Sequence, residues 1–259
     1  MTSRVALVTG GGRGIGRAIV LRLAKDGLRV AVGARTAAQV EETAAAARAS
    51  GAAALPLAID VTDPASVADA VERTVSELGP VDVVVNNAGV AESAPLARTE
   101  PELWERHFRV NATGPYLVTR AVLPGMLERG WGRVINVASL AGLYGSPYVT
   151  AYTASKHAVV GFTRALATEV AGRGVTVNAL CPGFVATDMV WRGARNIVAK
   201  TGKSFEEAVQ ALAHMNPGRR LLEPEEVAEA AARLLDDAAT NGQCIVLDGT
   251  HPATKGAQP

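Results

Sequence analysis

Short runs of apolar, often β-branched residues alternate along the chain with longer segments that have helical periodicity. Strands of a parallel sheet are buried on both faces and are therefore apolar almost throughout, whereas the helices between them are amphipathic. This alternation predicts an α/β fold with a doubly wound, seven-stranded parallel sheet. The predicted strands are residues 5–8, 29–33, 54–59, 81–85, 133–137, 175–180 and 243–247.

One connection is much longer than the others. Loops between strands and helices usually contain about 2–6 residues, but residues 187–222 form a connection in which a single helix, near residues 204–214, is predicted. A long connection after the carboxyl end of a strand is typical of an active-site lid. No repeat or break in composition divides the chain, so we predict one domain, residues 1–259, with residues 187–222 as a helical lid insertion.

The composition excludes several classes of protein. The chain has 259 residues, 48% of them hydrophobic, which is enough for a sizeable core and is not typical of disorder. The 26 Lys and Arg residues nearly balance the 25 Asp and Glu residues, so no large positive field favours nucleic acid or an anionic membrane. No apolar run approaches the roughly 20 residues of a membrane-spanning helix. We therefore expect neither nucleic acid nor a membrane as a partner.

The cysteines, histidines and first residues bear on location and metal binding. Cys181 and Cys244 are too few and too far apart for a disulfide framework, which fits a reducing compartment. The chain begins without the charged start, apolar stretch and cleavage site of a signal peptide. Its four histidines share no metal-ligand spacing. We expect a cytoplasmic protein without a bound metal.

A glycine-rich segment, residues 9–16, joins the first predicted strand to the first helix. Gly10, Gly14 and Gly16 would let the backbone turn tightly and approach a pyrophosphate, which the helix N-terminus stabilises. No Lys-Ser or Lys-Thr pair follows the glycines, so the mononucleotide P-loop pattern is excluded. Such turns also occur for purely steric reasons, but the position between strand and helix favours a dinucleotide site.

The end of the second predicted strand bears on which dinucleotide binds. An acidic residue there would bind the ribose hydroxyls of NAD, but no acid occurs between Gly33 and Glu41. Arg35 and Arg13 could instead converge on a 2′-phosphate, which guanidinium groups bind through two hydrogen bonds. The sequence therefore favours NADP over NAD. The alternative is that both arginines are ordinary solvated surface residues.

A serine, a tyrosine and a lysine form the candidate catalytic group. Tyr152 and Lys156 are four residues apart on a predicted helix and therefore share one face. The ammonium group should favour the phenolate and lower the tyrosine pKa from its usual value of about 10. Ser139 follows the fifth predicted strand and could hydrogen-bond a substrate oxygen. A tyrosine and a lysine at this spacing also occur by chance on exposed helices, but these two follow a glycine loop and a strand that ends in serine.

Several motifs occur together along the chain, in a fixed order. They are residues 9–16, residues 86–89, Asn111, Ser139, the Tyr152 and Lys156 pair, and residues 181–183. Together they resemble the short-chain dehydrogenase/reductase family over essentially the whole chain. The resemblance implies a single Rossmann-like domain in which Tyr152 is the acid/base and Ser139 positions the carbonyl. It also implies that Lys156 binds the nicotinamide ribose and that Asn111 holds a water in a proton relay.

The same resemblance implies a set of cofactor contacts beyond Tyr152 and Lys156. The glycine loop and second strand contribute Gly10, Arg13, Gly14, Ile15, Gly16 and Arg35. Asp60 and Val61 lie beside the adenine, and Asn87, Ala88 and Gly89 lie against the adenosine half. Pro182, Gly183, Val185 and Thr187 lie along the nicotinamide.

The sequence around Asn111 offers a local reason for its role. Asn111 lies in a predicted helical region, residues 104–128, and Pro115 follows four residues later. Because proline has no N–H group, the Asn111 carbonyl would lack its helical donor and could bind a water. The alternative is that Asn111 simply caps or bends the helix.

Within the family, residues 125–133 and 154–163 resemble aromatic polyketide ketoreductases and, more broadly, 3-oxoacyl thioester reductases, as does the layout of the lid. The chain departs from the polyketide enzymes after Gly89, where it lacks their pair of glycines. Substrate contacts are expected from loops at the carboxyl ends of the strands. The candidates are Val90, Ala141, Tyr144, Phe184, Met189 and Trp191, although Met189 and Trp191 could equally well only pack the lid onto the body.

The sequence thus predicts an NADPH-dependent reductase of a small-molecule or carrier-bound ketone, such as a 3-oxoacyl thioester. One alternative is an NAD-dependent alcohol or 3-hydroxyacyl dehydrogenase that works in the oxidative direction. Another is a regulatory protein that binds a dinucleotide without turnover. The last strand and the helix at residues 152–170 resemble the surfaces through which the family forms homotetramers and homodimers.

Overall fold

The computed structural model describes residues 4–250, which form a seven-stranded sheet with helices on both faces. All strand pairs are parallel, and the order across the sheet is β3-β2-β1-β4-β5-β6-β7. The predicted fold class and strand count are confirmed. The strands are β1 (Val5–Thr9), β2 (Arg29–Ala34), β3 (Ala54–Ala58), β4 (Val81–Asn86), β5 (Gly132–Val137), β6 (Val175–Pro182) and β7 (Cys244–Leu247).

The helix at residues 64–78 begins where the sequence supplies a capping group. Asp63 accepts a hydrogen bond from the Ala65 amide, and Pro64 occupies the first turn, where its missing N–H group costs nothing. Nine α-helices occur within residues 4–250. They are α1 (Gly14–Lys25), α2 (Ala37–Ala49), α3 (Pro64–Leu78), α4 (Pro101–Phe108), α5 (Gly114–Glu128), α6 (Thr150–Glu169), α7 (Asp188–Thr201), α8 (Phe205–Ala213) and α9 (Pro224–Asp236).

Alternate residues of each central strand enter two separate hydrophobic cores. Ala6 and Val8 of β1 belong to the core on the α1 and α9 side, whereas Val5 and Leu7 belong to the core on the α3 and α5 side. Every residue of β1 is therefore buried, because side chains are covered on both faces of the sheet. This explains the continuous apolar runs in the sequence.

The strand order reverses at β1, which lies between β2 and β4. Helices that follow β1 and β4 therefore diverge to opposite faces, and a crevice opens between their carboxyl ends. Ligands of open parallel sheets bind at such a switch point. Residues 10–13, after β1, and residues 87–90, after β4, lie at this position.

The lid contains two helices rather than the single predicted helix. Helix α8 was predicted, but α7 was missed because glycine and several arginines obscured its apolar face. Val190 and Ala194 of α7 are buried against Ala208 and Leu212 of α8, so the two helices share a small core of their own. The two helices bury their apolar faces against one another and against residues at the base of the lid, which the sequence composition alone does not reveal.

Both ends of the lid are joined at its base. Val185 forms a parallel bridge with Leu222, and the Leu222 amide donates to the Phe184 carbonyl over 2.9 Å. The buried Asn216 side chain accepts from the Phe184 amide (2.8 Å) and donates to the Phe184 carbonyl (3.0 Å). The lid is therefore a closed loop whose ends are fixed to each other.

The helical region that contains Asn111 is interrupted, as its proline suggested. A π-helical turn, Arg109–Thr113, separates α4 from α5, and Pro115 is the second residue of α5. At that position the missing N–H group of Pro115 is least costly. The structure thus divides the predicted helical region at Asn111, and binding of a water by the Asn111 carbonyl stays a prediction.

Candidate active site

The glycine loop has a backbone that only glycine adopts easily. Gly10 and Gly14 have φ angles of 64° and 52°, in the left-handed region. A Cβ atom at Gly16 would lie 2.1 Å from the Gly10 carbonyl oxygen, so no side chain fits there. Arg13, the N-cap residue of α1, has an extended backbone, and its side chain forms no capping hydrogen bond with the amide groups of the first turn. The loop thus forms a cradle, at a helix N-terminus, that suits the pyrophosphate of a dinucleotide.

The segment after β4 holds this cradle in place. The Asn87 side chain donates to the Thr9 and Gly10 carbonyls over 3.0 and 3.1 Å. The Thr9 hydroxyl accepts from the Asn87 and Ala88 amides over 3.1 and 3.2 Å. Asn87 and Ala88 therefore support the glycine loop, which is a structural task that the sequence did not reveal.

Arg35 and Arg13, the two predicted phosphate ligands, meet different neighbours. Arg35 is exposed, and its charge helps to lower the pKa of Asp60, whose carboxylate chiefly accepts hydrogen bonds from Thr62. Arg13 forms an ion pair with Asp188, the first residue of α7, over 3.3 Å. Arg13 therefore connects the glycine loop to the lid.

Three candidate catalytic residues meet at the carboxyl end of β5. Ser139 caps a short 3₁₀ turn and hydrogen-bonds the Tyr152 hydroxyl. The Lys156 ammonium is buried and donates to the Val137 carbonyl over 2.8 Å. It lies 5.8 Å from the centre of the Tyr152 ring. One face of α6 thus places a phenol and an ammonium group beside the serine, as the spacing predicted.

The electrostatics of this group differ from the sequence-based expectation. Burial raises the pKa of Tyr152 above its usual value, and the hydrogen bond with Ser139 offsets this only in part. Burial also lowers the pKa of Lys156 to about 8. The predicted lowering of the tyrosine pKa is therefore wrong for this structure, because desolvation of the phenol is the largest cause of its shift. Tyr152 is a protonated phenol at neutral pH.

Asn111 contacts its neighbours through its side chain. Its amide accepts from the Val90 N–H group over 2.8 Å and donates to the Val90 carbonyl over 2.9 Å. It also donates to the Ser155 hydroxyl over 3.0 Å. A Cβ atom at Gly89 would lie 3.3 Å from the Asn111 side-chain oxygen and 3.7 Å from the Lys156 nitrogen. Asn111 therefore joins the segment after β4 to the helix that carries Tyr152.

Comparisons with known proteins agree with this geometry. The family model for short chain dehydrogenase matches residues 4–197. A Streptomyces coelicolor protein named "Putative ketoacyl reductase" is 43% identical over 251 residues, which are 95% of this chain and 96% of that protein. A 3-oxoacyl-[acyl-carrier-protein] reductase of Synechocystis is 38% identical, and the match covers 96% of this chain and 97% of that protein. This chain belongs to the short-chain dehydrogenase family.

A solved structure supports the same assignment. The chain superimposes on a variant of actinorhodin polyketide ketoreductase with NADPH at a TM-score of 0.92 and 42% identity. The match covers 95% of this chain and 96% of that structure. The similarity therefore includes the lid as well as the sheet.

Some of the other predicted cofactor contacts of this short-chain dehydrogenase lie beside the glycine loop or the base of the lid. Thr187 is beside the glycine loop, because a Cβ atom at Gly14 would lie 3.2 Å from its methyl group. Gly183 lies against the Asn216 side chain, where a Cβ atom would be 2.1 Å from the amide oxygen. The side chains of Ile15, Val61 and Val185, however, pack with the hydrophobic cores. Contact of all these residues with a cofactor stays a prediction.

Five of the six predicted substrate residues divide into two groups. Tyr144 is 63% exposed, Asn111 holds the Val90 backbone, and the Ala141 amide donates to the Ser139 hydroxyl. Phe184 and Trp191, in contrast, pack in the small core of the lid. The Trp191 ring lies 6.3 Å from that of Phe205 in α8. The lid packing that was the alternative for Trp191 is thus present, and contact of all six residues with a substrate stays a prediction.

Three residues at this site went unnoticed in the sequence. Asp188 pairs with Arg13, Asn216 fixes the base of the lid, and His107 is buried with its ring centre 6.3 Å from that of Tyr152. Each acts through a partner distant in the sequence, so no local motif marks it. Within residues 4–250, no three His, Cys, Asp or Glu side chains converge as metal ligands, and no helix has the length and apolarity to cross a membrane.

Replacement of Gly16 by alanine should weaken dinucleotide binding. The new Cβ atom would collide with the Gly10 carbonyl and distort the cradle. We therefore expect the Kd for NADPH, measured by fluorescence, to rise at least tenfold, which is roughly the effect of one lost hydrogen bond. Gly161→Ala is the matched control, because nothing lies within 4 Å of the corresponding Cβ position on α6. Equal Kd values for Gly16→Ala and the wild type would contradict the assignment of the cradle.

Proposed function

We propose that this short-chain dehydrogenase is an NADPH-dependent ketoreductase. Its substrate is a ketone, specifically a 3-oxoacyl thioester or polyketide-type carbonyl, which it converts to the secondary alcohol. The observation that carries the proposal is the meeting of Ser139, Tyr152 and Lys156 at the carboxyl end of β5, beside the glycine cradle. The similarity to ketoacyl and 3-oxoacyl reductases supports this substrate class.

The residues of the crevice fit NADPH. The glycine cradle matches a pyrophosphate, and the exposed Arg35, with no acid before Glu41, suits a 2′-phosphate. Arg13 can contribute if it exchanges Asp188 for the phosphate. When bound, NADPH would supply the hydride.

The chain's own side chains would handle the proton. As the carbonyl oxygen gains negative charge, the Tyr152 hydroxyl transfers its proton to that oxygen, and the Ser139 hydroxyl donates a hydrogen bond to it. The Lys156 ammonium, 5.8 Å from the ring centre, stabilises the phenolate that remains. Asn111 keeps Val90 and Ser155 in place around these groups.

The comparisons favour reduction over the oxidative alternative. The similar proteins include ketoacyl and 3-oxoacyl reductases and a ketoreductase structure with NADPH. We therefore favour a reductase over an NAD-dependent alcohol or 3-hydroxyacyl dehydrogenase. The complete catalytic group also argues against a regulatory protein without turnover.

The natural substrate is a small-molecule or carrier-bound ketone in this proposal. The cytoplasmic location and the homotetrameric or homodimeric state stay predictions from the sequence. Size-exclusion chromatography with light scattering would measure the oligomeric state directly.

Loss of the Tyr152 hydroxyl tests the reaction. We expect Tyr152→Phe to lower kcat for reduction of acetoacetyl-coenzyme A by about 10²–10⁴-fold, because the proton donor is removed. The rate is followed at the nicotinamide absorbance, with NADPH and with NADH. Tyr116→Phe, on the exposed side of α5, is the control. Faster oxidation of 3-hydroxybutyryl-coenzyme A with NAD than reduction with NADPH would instead establish the alternative dehydrogenase.

The pKa of Lys156 predicts an alkaline limit. Below pH 8 the side chain is an ammonium ion, and above its pKa of about 8 it becomes a neutral amine that no longer stabilises the phenolate. We expect kcat/KM for ketone reduction to fall tenfold for each unit of pH above this value. Parallel measurements of NADPH affinity separate a loss of binding from a loss of chemistry. A flat profile to about pH 10, the usual lysine pKa, would contradict the prediction.

Replacement of Arg35 by aspartate should shift the cofactor preference toward NAD. The carboxylate would repel a 2′-phosphate and accept hydrogen bonds from ribose hydroxyls. The ratio of kcat/KM with NADPH to that with NADH is the measurement. Arg120→Asp makes the same charge change on α5, which packs on the other face of the sheet. An equal ratio in Arg35→Asp and the wild type would exclude Arg35 from phosphate binding.

A further inference from the structure

The loop at residues 90–94 borders the candidate catalytic group. Asn111 holds one end of this loop through two hydrogen bonds to Val90, and the Tyr148 carbonyl accepts from the Ala94 amide over 2.8 Å at the other end. Asn111 also bonds Ser155, and Tyr148 precedes α6, so both anchors flank Tyr152. The 90–94 loop therefore runs alongside the phenol.

The middle of the loop is fixed by a buried histidine. His107 of α4 has no exposed surface, and its Nε2 atom lies 3.1 Å from the Glu92 backbone nitrogen. Its Nδ1 atom lies 2.7 Å from the Leu103 carbonyl oxygen. A carbonyl only accepts and a backbone N–H only donates, so His107 must be neutral, with its proton on Nδ1 and an acceptor at Nε2.

The same histidine touches the catalytic side of the site. Its ring centre is 6.3 Å from that of Tyr152, with the two planes 76° apart, so the rings meet edge to face. One buried ring therefore contacts the loop on one side and the candidate acid/base on the other. The Glu92 carboxylate has a second contact with α4, an ion pair with Arg106 over 2.8 Å, but both of those side chains are about half exposed.

We infer that His107 is a positioning residue for the ketone substrate. It holds the 90–94 loop against the site by accepting the Glu92 N–H group, and thereby sets the space between the loop and Tyr152 that the substrate enters. This inference rests on the proposed reductase activity. It assigns the fixing of the loop to a buried hydrogen bond rather than to the exposed ion pair, since water competes strongly for exposed charges.

Two replacements of His107 separate its two hydrogen bonds. The side-chain oxygen of glutamine reaches the position of Nε2 and can accept from Glu92, whereas the side chain of asparagine reaches only the position of Nδ1. For His107→Asn we expect the KM for acetoacetyl-coenzyme A to rise roughly three- to tenfold, the effect of one lost hydrogen bond. kcat should change less, and the Kd for NADPH should not change, because the hydrogen bonds of His107 are to Glu92 and Leu103 and not to the glycine loop. For His107→Gln we expect a KM close to that of the wild type.

A change of Glu92, the loop residue that donates this hydrogen bond, gives an independent test if replacement of the buried histidine disturbs folding. Glu92→Pro removes the N–H group from the exposed loop, and we expect it to raise KM as His107→Asn does. Glu92→Ala and Arg106→Gln are the controls, because each removes the ion pair and keeps the N–H group. We expect both controls to have the wild-type KM.

The outcomes distinguish failure of this inference from failure of the proposed function. A wild-type enzyme that does not reduce the thioester with NADPH contradicts the proposed function. An active wild type with an unchanged KM in His107→Asn or Glu92→Pro overturns the role of His107. The ion pair, rather than His107, would hold the loop if KM rose in Glu92→Ala or Arg106→Gln and the KM of Glu92→Pro did not exceed that of Glu92→Ala. Equal loss of substrate and NADPH affinity would indicate a general structural role.

Discussion

All the candidate functional groups depend on one constraint, which is that parallel strands end at the same edge of their sheet. β1, β4, β5 and β6 deliver the glycine loop, the 87–90 segment, Ser139 and the base of the lid to that edge. The reversal of strand order at β1 then opens the crevice between two of these ends. Residues far apart in the chain therefore meet without any long-range motif.

Asparagine side chains hold the loops at this edge of the sheet. Asn87 bonds the Thr9 and Gly10 carbonyls, Asn111 bonds both backbone groups of Val90, and Asn216 does the same for Phe184. An amide side chain can donate and accept as a peptide group does, so it fixes a loop as a neighbouring strand would. The site thus has rigid walls built from irregular backbone.

Burial then decides the chemistry of the residues within those walls. Tyr152 and Lys156 are both desolvated, which raises the pKa of the phenol and lowers that of the amine. The spacing of the two residues in the sequence indicates that they are close, but the direction of each shift depends on how much water the surrounding elements exclude. That is why the predicted proximity of the two residues is found while the predicted direction of the tyrosine shift is not.

The sequence by itself determined the elements whose signals are local. The seven strands are continuous apolar runs, the cradle at Gly10, Gly14 and Gly16 is a backbone requirement, and the Tyr152 and Lys156 spacing is one helical turn. Only the tertiary structure decided that α7 exists, that Phe184 and Trp191 pack within the lid, and that His107 fixes the 90–94 loop. The physical reason is that a short amphipathic helix, a packed aromatic ring and a buried histidine are all defined by partners distant in the chain.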